Sequence, residues 1–318
     1  MFWRRGRAAP GAKLRVMLTL LSLALGSCLA VQQAAETPAA ARSRAEWAAL
    51  RDAKFAVPAG RTAFELLNEM NRLLGSSDPF LRDNVAYEAA ARWIYTDAAL
   101  TADEQRRILG MWTANLGAGL GEASGDAAFK RSFSALSLSV MAARENAAPF
   151  LTQEEFDRFL GDMLDYFARE RDTRGFDATR GWIHAAAHTA DVLKFLARSP
   201  KLTPAGQARI LAAIDAKCAA FGQVFAWAED ERLAQVVASL ARRPDFDRAG
   251  FEAWLASIGP RRAALWSAAP AIDPAKFPEV QNLKLVLRAA YVALSLDADP
   301  APGAQASGAL RTALRSLR

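Results

Sequence analysis

His184 and His188 are the two histidines of a 318-residue chain, and they stand in the segment GWIHAAAHTAD (181–191) with Asp191 three residues on. On a helix at about 100° per residue, His188 lies about 40° from His184 and Asp191 about 20° back the other way. All three would then project from one narrow face. His-x-x-x-His with a following carboxylate is a spacing that can hold a divalent metal, with Asp191 as third ligand or as orienter of a histidine. Without metal, the same set could supply a histidine general base held in one tautomer by Asp191, so the three are also candidate catalytic residues. A polar network at a helix crossing, or a ligand-binding patch, is the third reading. Ala185 stands where a zinc peptidase of the H-E-x-x-H type needs its glutamate, which excludes that motif.

Other polar residues gather around this segment. ERDTRGFD (170–177) precedes it; Asp172 and Arg174 could fold back toward the histidine helix, and Gly175 suits a left-handed turn. FKRSFSAL (129–136) embeds Arg131, Ser132 and Ser134 among apolar residues. An arginine so placed needs a carboxylate or an anion, with Asp83 or Asp191 as the expected partner. Neither serine sits on a nucleophile elbow, so serine hydrolysis has no support. AWAEDERL (226–233) offers Glu231 toward the same wall, and Glu229 with Arg232 reads as an i,i+3 surface pair. Trp182 and Trp227 could stack on a sugar or a peptide side chain, or serve the core.

These residues need elements to hold them, and the chain supplies helices almost throughout. From about Trp47 onward apolar residues recur at three-to-four spacing, and strand-like alternation is absent. LTADEQRRIL, LTQEEFDRFL and LTPAGQARIL begin at Leu100, Leu151 and Leu202, a period of 51 residues, with Arg107, Arg158 and Arg209 in register. Thr101 with Glu104 and Thr152 with Glu155 have capping-box spacing. Asp78-Pro79 and Asp273-Pro274 each read as a cap before a proline at the first helical position. The period predicts an all-α, HEAT-like α-solenoid of helix pairs, with a closed α/α toroid as the alternative. First helices are expected at 101–117, 152–170 and 203–225 and second helices at 126–145, 179–198 and 229–243, after an earlier pair at 62–74 and 79–97. Equivalent second helices would then place Asp83, Arg131, Ser134, His184, His188, Asp191, Glu231 and Arg232 along one wall of a groove.

The two ends read differently. Arg4, Arg5, Arg7, Lys13 and Arg15 precede the apolar stretch 16–26, as in a secretory signal peptide over 1–27. That stretch is short of the roughly 20 residues of a membrane span. LGSC (25–28) resembles a bacterial lipobox with Cys28 as the lipidated residue, and 28–45 reads as a flexible tether to a helical-repeat domain over 46–296. The forty Lys and Arg less the five of the leader leave 35 against 34 acidic residues. Such a balance gives no electrostatic case for nucleic acid. Cys218 sits in an apolar helical context as a small hydrophobe. The last segment, 297–318, reads as a linker and a short basic amphipathic helix that caps the array.

Four blocks together resemble the bacterial domain of unknown function 2785 family: L-R-D-x-x-A-Y at Leu81–Tyr87, R-S-F-S-A-L at Arg131–Leu136, E-x-D-x-R-G at Glu170–Gly175 and G-W-x-H-x-x-A-H-T-A-D at Gly181–Asp191. The likeness covers about residues 79 to 240. It implies a helical-repeat domain and carries no activity. The whole reading expects an exported envelope protein, held at the membrane by a lipid anchor, that binds a peptide, glycan or envelope protein. A hydrolase-like enzyme built on His184, His188 and Asp191 is the alternative.

Overall fold

The computed structural model describes residues 42–267 and 272–317, so the expected signal peptide and the lipidation of Cys28 lie outside the described residues. Within them the chain is mostly helical. Helix α1 (Arg44–Asp52) starts just inside the segment read as a tether, on a Ser43–Glu46 capping box. Helix α2 (Ala63–Met70) starts on a second box, Thr62–Glu65. The expected helix at 79–97 is a composite, with π-helical turns at Phe80–Tyr87 and Ala91–Thr96 around the single α-turn α3 (Glu88–Ala90).

The threonine starts appear where the 51-residue spacing puts them. Thr101 caps α4 (Ala102–Asn115), Thr152 caps α6 (Gln153–Arg169), and Thr203 caps α8 (Pro204–Ala220), each through its side-chain oxygen. That bond satisfies one of the amides left unpaired at a helix start. Their partners are α5 (Ala127–Ala147), α7 (Ala185–Arg198) and α9 (Glu229–Ala241). A fourth set follows: α10 (Arg248–Ala256), α11 (Ile258–Ser267), α12 (Phe277–Ser295) and α13 (Ala304–Ser316). Asp273 does not cap α12, since its carboxylate accepts from the Ala275 amide and the helix begins at Phe277.

Each first helix buries one stripe. On α6 the residues Phe156, Phe159, Leu160, Met163, Leu164 and Phe167 are all buried, at the i, i+3, i+4 spacing of a single face. Each such side chain contributes roughly 1.5–3 kcal/mol of burial. The second helices pack in succession, α5 on α7, α7 on α9 and α9 on α12, while α6 packs on α8. Cys218 lies fully buried on α8, where burial pushes its thiol pKa up. At the end of the chain Leu310 and Leu317 are buried, and α13 packs on α10 and α12. No helix among the described residues is long and apolar enough to cross a membrane.

Candidate functional site

The histidine helix begins later than its sequence suggests. Residues Phe176–Asp177 (β1) and Gly181–Trp182 (β2) pair antiparallel as a small hairpin. Its turn is locked by the Asp177 carboxylate, which accepts from the Thr179 and Arg180 amides at 2.9 Å. The ladder continues as Ile183 N–H donates to the Gly175 carbonyl (2.8 Å) and His184 N–H to the Arg174 carbonyl (3.1 Å). His184 is therefore outside the helix, at its N-cap, with φ 52° in the left-handed region. Histidine tolerates that region better than most residues, and such conformers concentrate at functional sites. The wheel that put His184 on one face with His188 and Asp191 does not apply to it. Its ring instead stacks on Trp182 (centroids 4.8 Å, interplanar angle 22°) and meets His188 at 5.7 Å and 60°. His184 is 6% exposed, and its Nε2 has no hydrogen-bond partner. Burial lowers its pKa below the ordinary histidine range, against the nearby Glu229 carboxylate.

His188 is fixed by a residue from the neighbouring second helix. Ser132 on α5 contacts His188 Nδ1 at 2.7 Å and also donates to the Ile183 carbonyl. A hydroxyl has one proton, and a carbonyl can only accept. Ser132 thus spends its proton on Ile183, so Nδ1 of His188 must be the donor to the Ser132 oxygen. The neutral ring is then the Nδ1–H tautomer, with its lone pair on Nε2. Burial drives His188 well below the ordinary range, and the charges of His184 and Arg232 add to it. This arrangement also excludes Ser132 as a nucleophile activated by His188, because the serine proton points away from the imidazole.

Asp191 does not join the histidines. Its carboxylate is taken by Lys194 Nζ (3.1 Å) and by the Arg232 guanidinium from α9. Among the described residues no group of three or more His, Cys, Asp and Glu side chains could hold a metal ion. The ligand set His184, His188 and Asp191 is not gathered, because His184 leaves the helix and Asp191 already faces two cations. Tyr87, from the π-helical turn, stands near the same pair; burial and then the Asp191 charge raise its hydroxyl pKa.

The remaining sequence candidates fall into two groups. Arg131 is buried, but its partner is neither Asp83 nor Asp191. It forms a two-pronged pair with Glu170 (2.7 and 3.0 Å) and donates to the Ala118 and Gly119 carbonyls. Ser134 accepts from Asn115 Nδ2 (2.9 Å) and lies away from the histidines' bonds. Asp172 and Arg174 close on one another (Nε to Oδ1, 3.0 Å), with Arg174 reaching the Gly125 carbonyl, so they lock the loop. Asp83 pairs with Arg82 at 2.9 Å, and burial pushes its carboxyl up to about 6. Glu231 is exposed. Glu229 is not the surface partner of Arg232: it is buried and accepts from the Trp227 amide at 2.8 Å.

Around His184 the aromatic residues form a surface of their own. Phe176, Trp182 and Trp227 are 47, 39 and 41% exposed. Trp182 sits edge-on to Phe176 (5.0 Å) and to Trp227 (6.2 Å). Gly175 is needed for contact rather than for a left-handed turn, since a Cβ there would lie 2.0 Å from Trp227 Cγ. Sequence reasoning gave Ser132 and Glu229 other roles and missed Phe176 as a member of this site. Ser132 carried a usable signal, a small polar residue between Arg131 and Phe133 on a buried helix.

Comparison with known proteins adds the family and nothing about chemistry. No curated protein and no solved structure matches the chain. The family model described as "Protein of unknown function (DUF2785)" matches residues 116–292, which run from ahead of α5 into α12 and include both histidines, Asp191, Trp182 and Trp227. With more than half of its length matched, the chain belongs to the DUF2785 family.

Proposed function

We propose that this chain is an exported helical-repeat binding module, an α-solenoid of pairs about 51 residues apart, which takes a glycan on the surface formed by Phe176, Trp182 and Trp227. The observation that carries the reading is the cluster of three exposed aromatic rings, two of them indoles, gathered around Trp182. A sugar ring offers an apolar C–H face on which an exposed indole can stack. His184 covers one face of Trp182 and Gly175 backs Trp227, so both rings are held before a ligand arrives. The basic leader and its apolar stretch support export, and LGSC supports a lipid anchor at Cys28.

A second reading rests on His188. With Nδ1–H held by Ser132, its Nε2 lone pair is available as a base, which favours a hydrolase-like enzyme over simple binding. Asp191 would take no part as orienter, because Lys194 and Arg232 hold it. One experiment separates these. The full chain, purified without a histidine tag, is titrated with cellohexaose, chitohexaose and soluble peptidoglycan fragments by calorimetry and tryptophan fluorescence. Binding by at least one, weakened about tenfold or more in Trp182→Ala and Trp227→Ala, is the expected result. Cleavage of the bound oligosaccharide that disappears in His188→Ala, with binding retained, moves the reading to the enzyme. Absence of binding to all three, or affinity unchanged in Trp182→Ala, overturns the glycan site; a peptide or envelope protein that binds and depends on Trp182 would replace it.

A further inference from the structure

A cavity of about 680 Å³ opens at the other end of α7, between the C-terminal ends of α7 and α9. Arg198 ends α7, some 20 Å along the helix from His184 at 1.5 Å per residue. The volume is that of a small-molecule site. Arg198, Ser239 and Arg242 line it, with Pro200 and Pro244 as apolar walls.

The charges of this cavity are unequal. Arg242 spends Nε and Nη2 on Asp297 (2.8 and 2.7 Å). Arg243 spends Nε and Nη2 on Asp245 (2.8 and 2.9 Å), so the lining carboxylate Asp245 and the neighbouring Asp297 are both already neutralised. Arg243 also donates to the carbonyls of Ala197, Ser199 and Leu202, which satisfies the exposed end of α7 and removes it as a partner for Arg198. Arg198 is held by one bond, Nε to Ser239 Oγ at 3.0 Å, and by the Phe195 ring at 5.3 Å. Among the described residues it has no carboxylate partner, and both of its Nη groups are without a protein acceptor. Partial desolvation, with the like charge of Arg242 behind it, disfavours its cationic form. An exposed guanidinium tethered through Nε to Ser239, one charge in excess and a cavity with proline walls ask for one oxyanion on a compact apolar body.

We propose that Arg198, Ser239 and Arg242 form a second binding site, separate from the histidine site, for a small molecule bearing a carboxylate or phosphate group. The free Nη donors of Arg198 take the oxyanion, Arg242 lines the cavity beside it while paired to Asp297, and Pro200 and Pro244 cover the apolar part.

Calorimetric titration of the full chain with benzoate, phenyl phosphate and inorganic phosphate tests this. One equivalent of benzoate or phenyl phosphate should bind saturably, and inorganic phosphate more weakly because it leaves the prolines uncovered. Preference between the first two assigns the natural group as carboxylate or phosphate ester. Arg198→Gln should weaken binding at least about tenfold, the loss of one charge-assisted contact. Ser239→Ala, which frees Arg198 without removing it, should weaken binding less, and Arg158→Gln on the exposed face of α6 should leave it unchanged. No saturable binding of either aromatic anion, or equal affinity in wild type and Arg198→Gln, overturns the site.

Discussion

The Ser132 hydroxyl joins two helices through one oxygen, and its removal has a calculable effect. Ser132→Ala deletes that atom from a fully buried position without opening a cavity of any size. It leaves the Ile183 carbonyl and His188 Nδ1–H unpaired inside the protein. Each unpaired buried group costs about 1–3 kcal/mol, so the variant should lose about 2–6 kcal/mol. That is a large part of a typical total of about 5–15 kcal/mol. Urea unfolding should show an earlier midpoint with an unchanged slope, because the area exposed on unfolding is the same. Long-range ¹H–¹⁵N spectra supply the chemical half of the test, and they are simple because the chain has two imidazoles. In the wild type at pH 7, His188 should appear as the neutral Nδ1–H tautomer; in Ser132→Ala that preference should fall away. An Nε2–H tautomer in the wild type would refute the reasoning. So would a stability change within about 0.5 kcal/mol, the range of an ordinary surface substitution.

Three further outcomes follow from the same geometry. Both histidines have lowered pKa values when folded, so the unfolded chain binds protons that the folded one refuses. Their contribution is complete above about pH 6.5 and declines as pH falls, at about 1.4 kcal/mol per pH unit per proton. Asp83, raised to about 6, works the other way between its unfolded value and 6, with a single proton against two. Urea midpoints measured from pH 7.5 down to 5 should therefore fall, and a rise on acidification would contradict the buried neutral pair. Elemental analysis of tag-free protein should find no stoichiometric zinc, iron or manganese in the wild type or in His184→Ala/His188→Ala; one equivalent in the wild type alone would restore the metal site. Gly175→Ala should push Trp227 from its seat, cost about 1–3 kcal/mol in thermal or urea unfolding as an overpacked site does, and weaken oligosaccharide binding; wild-type stability would show that the contact yields freely.

The sequence spoke most clearly where a local rule acts alone. A threonine followed three residues later by glutamate caps a helix whatever surrounds it, so Thr101 and Thr152 announce α4 and α6. The bulk of the second helices was legible for the same reason, as apolar periodicity with a stated frame. The entry to α7 was not. Nothing in residues 176–184 alternates like a strand, and the hairpin arises from the Asp177 turn and from amides that find carbonyls at Arg174 and Gly175. One consequence was that His184 read as helical. Long-range pairing was equally hidden: Arg131 was expected on Asp83 or Asp191, and the choice of Glu170 depends on how the loop after α6 folds back. The π-helical turns at 80–96 also left no mark, since their side-chain spacing satisfies a helical pattern nearly as well.

Ser132, His188 and Ile183 belong to two successive helix pairs, and so do Asp191 and Arg232, while Gly175 receives Trp227 from the pair that follows. No single pair therefore contains a finished site. As the chain leaves the ribosome, α7 can meet α5 at once, but Asp191 must wait for Arg232 and the hairpin for Trp227, some forty to fifty residues later. A fragment ending before α9 would hold both histidines and the Asp191–Lys194 pair, yet neither the completed aromatic surface nor the Arg232 partner of Asp191. A helix pair cannot be deleted between α5 and α9 without dissolving the site.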